Sequence, residues 1–165
     1  MVSELTREEA FEYISSSKMC DMQEKDLKEI FLDMCMDYRS KITSEATKRK
    51  VVLESVRYEF RGAPNKFVAS YIEETFGENV IVIGKQEVLL PCPCCGARSL
   101  TELYDPKCGT GYDICEYCRW EDDGTADLKQ HSSVNKGSML DYRKKLPITI
   151  SDNPRWIFVD MDRDI

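Results

Sequence analysis

Six of the eight cysteines in this 165-residue chain lie between positions 92 and 118. Cys92, Cys94 and Cys95 share the run Cys92-Pro93-Cys94-Cys95-Gly96, and Cys115-Glu116-Tyr117-Cys118 forms a second C-x-x-C. Nineteen residues separate Cys95 from Cys115, which fits the paired C-x-x-C spacing of a structural zinc site. The chemistry explains the spacing. A tight turn aims both sulfurs of a C-x-x-C at one point, and two such turns offer four thiolates in a tetrahedron. Pro93 stiffens the first turn, and Gly96 lets backbone amides approach the sulfurs. The expected ligands are therefore Cys92, Cys95, Cys115 and Cys118 around one Zn2+. Cys94 could replace a neighbour, because adjacent cysteines leave the turn register ambiguous. C-P-x-C also occurs in thiol oxidoreductases, but those do not need a second pair at ribbon spacing.

The other chemistry-bearing residues are sparse. His131 is the only histidine and lies in a polar loop. There is no Ser/His/Asp arrangement, H-E-x-x-H or phosphate loop, and four thiolates would leave a bound metal no open position for water. The expectation is a protein that is not an enzyme. Two acidic features stand out. Asp26, Glu29, Asp33 and Asp37 fall within about 80° of one another on a helix at 100° per residue. Glu121, Asp122 and Asp123 follow the second cysteine pair directly. Each is an ordinary solvated surface or a docking face for a basic partner. Arg98, Lys107 and Arg119 flank the cysteines and suit support of the anionic centre. Cys35 reads as a core residue on its helix's apolar stripe, Cys20 as an inert interhelical residue, and Cys108 as a loop residue.

Helices must occupy the first half. Thr6-x-x-Glu9 is a capping box followed by Ala10, Phe11 and Ile14 on one face. Asp21-x-x-Glu24 reads as a second cap, opening a helix with Leu27, Ile30, Phe31, Met34, Cys35 and Tyr38 as its stripe. A third helix is predicted over 45–61 with Val52, Val56 and Phe60 inward. A fourth runs from Pro64 to its stop at Gly77. The period then changes to strand-like runs at 79–84 and 86–90. A hairpin pairing 99–104 with 112–115, a short helix at 139–146 and a last strand at 155–160 complete the reading. No internal repeat is visible beyond the two cysteine pairs. The expected fold class is α+β: a small helical bundle over 1–78, then a zinc-ribbon-like β domain over 79–165.

Charge narrows the partners. The net charge is −7, with 13 basic and 17 acidic side chains in residues 1–87 and 10 and 13 in the remainder. Neither half is basic, and phosphate contacts supply most nucleic-acid affinity, so nucleic acid is an unfavoured partner. The basic runs Lys48-Arg49-Lys50 and Arg143-Lys144-Lys145 are all that a nucleic-acid-associated ribbon, the rival reading, could use. An acidic protein suits a basic protein partner such as a nuclease toxin. No run of about 20 apolar residues spans a membrane and the N-terminus lacks a signal-peptide core, so the expected place is the cytoplasm.

The segments Leu90-Pro91-Cys92-Pro93-Cys94-Cys95-Gly96 and Gly111-Tyr112-Asp113-Ile114-Cys115-Glu116-Tyr117-Cys118-Arg119-Trp120-Glu121-Asp122-Asp123-Gly124 resemble the bacterial cysteine-rich CPCC family. The run from Ser133 to Arg143 resembles that family's tail. The resemblance covers roughly 88–146 and implies zinc binding. Through members carried in toxin–immunity loci, it also implies an immunity role. It supplies no catalytic residues.

Overall fold

The computed structural model describes residues 2–33, 44–146 and 153–159, which divide into two compact units, Met1–Gln86 and Glu87–Ile165. The fold is α+β.

The first unit opens with a short strand that the sequence reading did not anticipate, β1 (Ser3–Thr6). Thr6 then caps α1 (Arg7–Asp21): its hydroxyl accepts the Glu9 amide, while its own N–H donates to the Glu9 carboxylate at 2.7 Å. This satisfies two of the donors that a helix start leaves unpaired. Next come α2 (Glu24–Asp33), α3 (Glu45–Glu59) and α4 (Asn65–Phe76). The break before α2 falls at Met22-Gln23 rather than at an Asp21 cap, since α1 continues through Asp21 and the Gln23 N–H donates to the Asp26 carboxylate at 2.7 Å. Gly77 stops α4 in a left-handed conformation, φ 76°, which glycine adopts at no steric cost.

The strand β2 (Val80–Ile83) pairs in parallel with β1, from Ser3 opposite Val80 to Thr6 opposite Ile83. The helical unit thus extends to Gln86 rather than ending at 78, because Val82 closes the same core as Phe11, Ile14, Val56, Phe60, Val68 and Ile72. Arg7 locks this arrangement, donating to Asn65 Oδ1 at 2.8 Å and the Phe60 carbonyl at 2.9 Å. A smaller core gathers Leu27, Phe31, Val51 and Val52. Met34, Cys35 and Tyr38 of the apolar stripe, and Asp37 of the acidic set, lie outside the described residues.

The second unit is built around its cysteines. β3 (Leu90–Pro91) and β4 (Arg98–Leu100) form an antiparallel pair on either side of the first cysteine turn. The tail adds to this pair. Arg98 N–H donates to the Ile157 carbonyl at 2.8 Å and Val159 N–H to the Gly96 carbonyl at 3.0 Å. The short helix α5 (Met139–Arg143) starts at a Ser138–Asp141 capping box. Trp120, Leu100, Ala97 and Met139 pack with the cysteines into one buried cluster. The predicted hairpin between 99–104 and 112–115 is replaced by a side-chain clasp. The Asp113 carboxylate accepts the Thr101 N–H and hydroxyl, each at 2.6 Å, and the Glu102 N–H at 3.2 Å. A carboxylate that gathers three donors fixes the crossing without a backbone ladder.

Candidate metal centre

Two turns of the same design present the four thiols. In the first, Cys92 N–H donates to the Ala97 carbonyl at 2.8 Å and Gly96 N–H to the Cys92 carbonyl at 2.9 Å. In the second, Cys115 N–H donates to the Trp120 carbonyl and Arg119 N–H to the Cys115 carbonyl, both at 2.8 Å. Each turn needs left-handed backbone at its fifth residue. Gly96 supplies it at φ 79°, whereas Arg119 holds φ 65° despite its side chain.

The turns face each other across a closed space. Cys92, Cys95, Cys115 and Cys118 are all buried, and their sulfurs lie within 4.8 Å of one another. The Cys92–Cys118 and Cys95–Cys115 sulfurs are each 3.7 Å apart. A regular tetrahedron with metal–sulfur bonds of about 2.3 Å has sulfur–sulfur edges of about 3.8 Å. The residues present therefore fit a four-coordinate metal ion. Cys118 N–H and the Ser99 hydroxyl point at the Cys115 sulfur, at 3.5 and 3.1 Å, the kind of donors that steady a thiolate ligand.

The electrostatics favour the same conclusion. Contact with Cys115 and Cys118, reinforced by burial, pushes the Cys92 thiol up, and the Cys95 thiol is raised by the same neighbours. Cys118 is raised by Cys115 first. Hydrogen bonds from Cys118, Cys92 and Cys95 instead lower Cys115. A bound cation offsets the repulsion among four.

Cys94 stays out of the cluster of four. It is buried, its thiol directed to the Met139 carbonyl at 3.7 Å, while Arg143 Nε donates to its own carbonyl at 2.6 Å. The turn register thus presents Cys92 and Cys95. Cys108, Cys20 and His131 are exposed. Cys20 is accordingly not a packed interhelical residue; its thiol meets the Ser16 carbonyl one turn back.

The acidic candidates separate. Glu29 and Asp33 are exposed on α2, Asp26 is half-buried and caps the same helix, and Asp37 lies outside the described residues. Asp122 is only 4% exposed, its carboxylate accepting the Tyr104 N–H at 2.8 Å and the Gly124 N–H at 3.4 Å. Asp123 accepts the Ser132 hydroxyl at 2.6 Å and the Thr125 N–H at 3.1 Å. Glu121 is half-buried and held through its backbone by both ends of the Asn135 amide. Asp122 is thus withdrawn from any docking face, and Asp123 is engaged within the unit. Sequence reasoning missed Asn135 and Ser99, since an asparagine or serine in a loop carries no signal of what it will bridge.

Residues 90–146 match the model of the cysteine-rich CPCC family. The match spans the four clustered cysteines, the acidic run and α5, and it stops short of the tail, where the expected strand over 155–160 is only a single bridge between Phe158 and Ala97. No curated protein and no solved structure matches the chain. The four converging thiols make the segment that matches this family a metal-binding module. Among the described residues, no helix is long and apolar enough to cross a membrane.

Proposed function

We propose that the CPCC segment holds one structural Zn2+ and that the protein is a non-enzymatic, cytoplasmic binding module for a basic protein partner, an immunity protein against a bacterial toxin. The observation that carries the zinc reading is the buried four-sulfur cluster, two of whose edges are 3.7 Å and all within 4.8 Å. Four cysteines and tetrahedral geometry suit zinc, and a filled sphere leaves no site to activate water. Zinc binding then becomes folding energy for a unit with little apolar core of its own.

The partner reading rests on charge. The chain carries −7, and four thiolates around Zn2+ add a local −2. Glu29 and Asp33 are the exposed carboxylates on α2 best placed to meet a cationic surface. Such charges steer association more than they tighten it.

Elemental analysis of the native protein should find one zinc per chain. Cys92→Ser should lose it and Cys94→Ser should keep it; the reverse pattern, or no zinc, overturns the site. Glu29→Lys with Asp33→Lys should slow capture of the basic partner at low salt without changing zinc content. Unchanged binding overturns the docking face. Binding of RNA or DNA at near-physiological salt would favour a nucleic-acid-associated ribbon instead.

A further inference from the structure

The described tail, residues 153–159, lies outside the segment that matches the family, yet it touches both cysteine turns. On the first turn it makes one bridge. Arg98 N–H donates to the Ile157 carbonyl at 2.8 Å and Val159 N–H to the Gly96 carbonyl at 3.0 Å, which sets Phe158 opposite Ala97. Gly96 and Ala97 directly follow the ligand Cys95. On the second turn the contacts come from side chains. The Phe158 ring meets the Tyr117 ring edge-on, with centroids 5.1 Å apart and planes at 80°. The Arg155 guanidinium lies 3.9 Å from the Glu116 carboxylate and 4.0 Å from the Trp156 ring centre. Glu116 and Tyr117 are the two residues between the ligands Cys115 and Cys118.

The bonds that shape each turn run inside it, from Cys92 to Ala97 and from Cys115 to Trp120, so neither turn needs the tail for its form. The tail instead joins one turn to the other. Phe158 faces both, with its backbone opposite Ala97 and its ring on Tyr117. This matters to a bound ion, because each turn supplies two of the four thiols. The ion leaves only when thiolates of the two turns part or a competing ligand reaches it, and all four cysteines are buried. Something over the centre must therefore move first. Among the described residues, two backbone hydrogen bonds tie the tail to the rest of the unit, and Trp156 and Phe158 pack half-buried against the cysteine cluster. Segments held by so few backbone bonds open locally at lower cost than the core they cover.

We propose that residues 153–159 are a latch on the metal centre, which rests on reading the four thiols as that centre. Seated, the tail ties the two cysteine turns together and keeps the ion in. Lifted, it leaves each turn intact and lets the ion exchange. The latch lies beyond the residues that match the family, so this chain adds it to the module.

The test uses the full zinc-loaded chain and compares two rates. One is zinc transfer to an excess of chromogenic chelator; the other is hydrogen exchange of single amides by NMR. In wild type, the Arg98 and Val159 N–H groups, which bond across the latch, should exchange together and faster than those of Cys92 and Cys115, which bond inside the turns. Phe158→Ala removes the ring pair and its burial, and should speed zinc transfer and both latch amides by the same factor, at least about tenfold, with one zinc still bound per chain. Arg155→Ala should act in the same direction by a smaller factor, because Glu116 is 43% exposed and solvent screens the pair. Asp122→Asn weakens the unit through Tyr104 and Gly124, and should leave zinc transfer within about twofold of wild type, since local opening does not follow global stability. Latch amides as slow as those of the turns, unchanged zinc transfer in Phe158→Ala, or zinc transfer that follows melting temperature across the three variants overturns the latch. A wild-type chain that holds no zinc would instead overturn the reading of the four thiols.

Discussion

Asp122 separates a residue that builds the second unit from one that greets a partner. Its carboxylate is buried and accepts the Tyr104 N–H at 2.8 Å, with a longer contact to the Gly124 N–H at 3.4 Å. Asp122→Ala removes a charged acceptor and strands the Tyr104 amide. A hydrogen bond to a charged group is worth about 1.5–3 kcal/mol, and the 3.4 Å contact adds little, so the loss should be about 2–3 kcal/mol. For a unit of this size each kcal/mol moves the midpoint by about 4–8 °C, so the second unit should melt at least about 8 °C lower. Asp122→Asn keeps an oxygen for Tyr104 and should lose about half as much. Glu121→Ala is the matched control. Glu121 is held through its backbone, so truncation should cost within about 0.5 kcal/mol. The assay is intrinsic fluorescence of the zinc-loaded chain, because both tryptophans, Trp120 and Trp156, belong to the second unit. If Asp122→Ala melts within 2 °C of wild type, the carboxylate is not structural and the argument from burial fails.

Chelation should change the tryptophan signal while the helical circular dichroism from α1 to α4 persists, because the four helices pack on cores that contain no cysteine ligand. Loss of both signals together would show one cooperative unit. Gly96→Ala forces a side chain into the left-handed region at a buried turn and should cost about 1–2 kcal/mol, seen as weaker zinc retention against a competing chelator. Arg119→Gly relieves similar strain at the matching position but gains unfolded-state freedom worth about 0.5–1 kcal/mol, so it should hold zinc at least as well as wild type. The Ser138 hydrogen bonds hold Asp141 below the usual carboxylate range, so its cap stabilises α5 at neutral pH. That contribution should fade as pH falls through the ordinary carboxylate value toward the folded one, as an NMR carboxyl titration would show.

The four ligands were readable because metal chemistry imposes a spacing, and the helical stripes because burial imposes a period. What escaped the reading depends on contacts distant in sequence. β1 is four residues with only Leu5 turned toward the core, so it has no strand signature of its own; it exists because β2 lies beside it. The same pairing carried β2 into the helical unit, although its run of β-branched residues looks like the start of the β-rich half. The 99–104 hairpin failed for the converse reason: alternation was present, but a single carboxylate, Asp113, outcompeted the ladder by satisfying three donors at once. The acidic run after Trp120 was read by charge, yet two of its three side chains accept hydrogen bonds from N–H or hydroxyl groups inside the unit.

The repeated turn shows why composition conceals such features. Three segments starting at Cys92, Asp105 and Cys115 share one backbone register, a fourth at Ser132 keeps only its first hydrogen bond and its left-handed residue, and two of the four carry the C-x-x-C signature. The register is set by two backbone hydrogen bonds and one left-handed residue, which Gly96, Gly109, Arg119 and Lys136 all supply. Three different residue types satisfy that demand, so glycine alone does not mark the turn. What the first and fourth side chains do is then decided by their surroundings. Buried and facing a second thiol pair, they converge on a metal position; buried beside Asp123, as Ser132 and Asn135 are, they bond to one another. At the surface, the Asp105 carboxylate instead accepts the Lys107 N–H within its own turn. The turn thus takes thiol, carboxylate, hydroxyl and amide at these positions, and what they do is settled by burial and by the groups across from them.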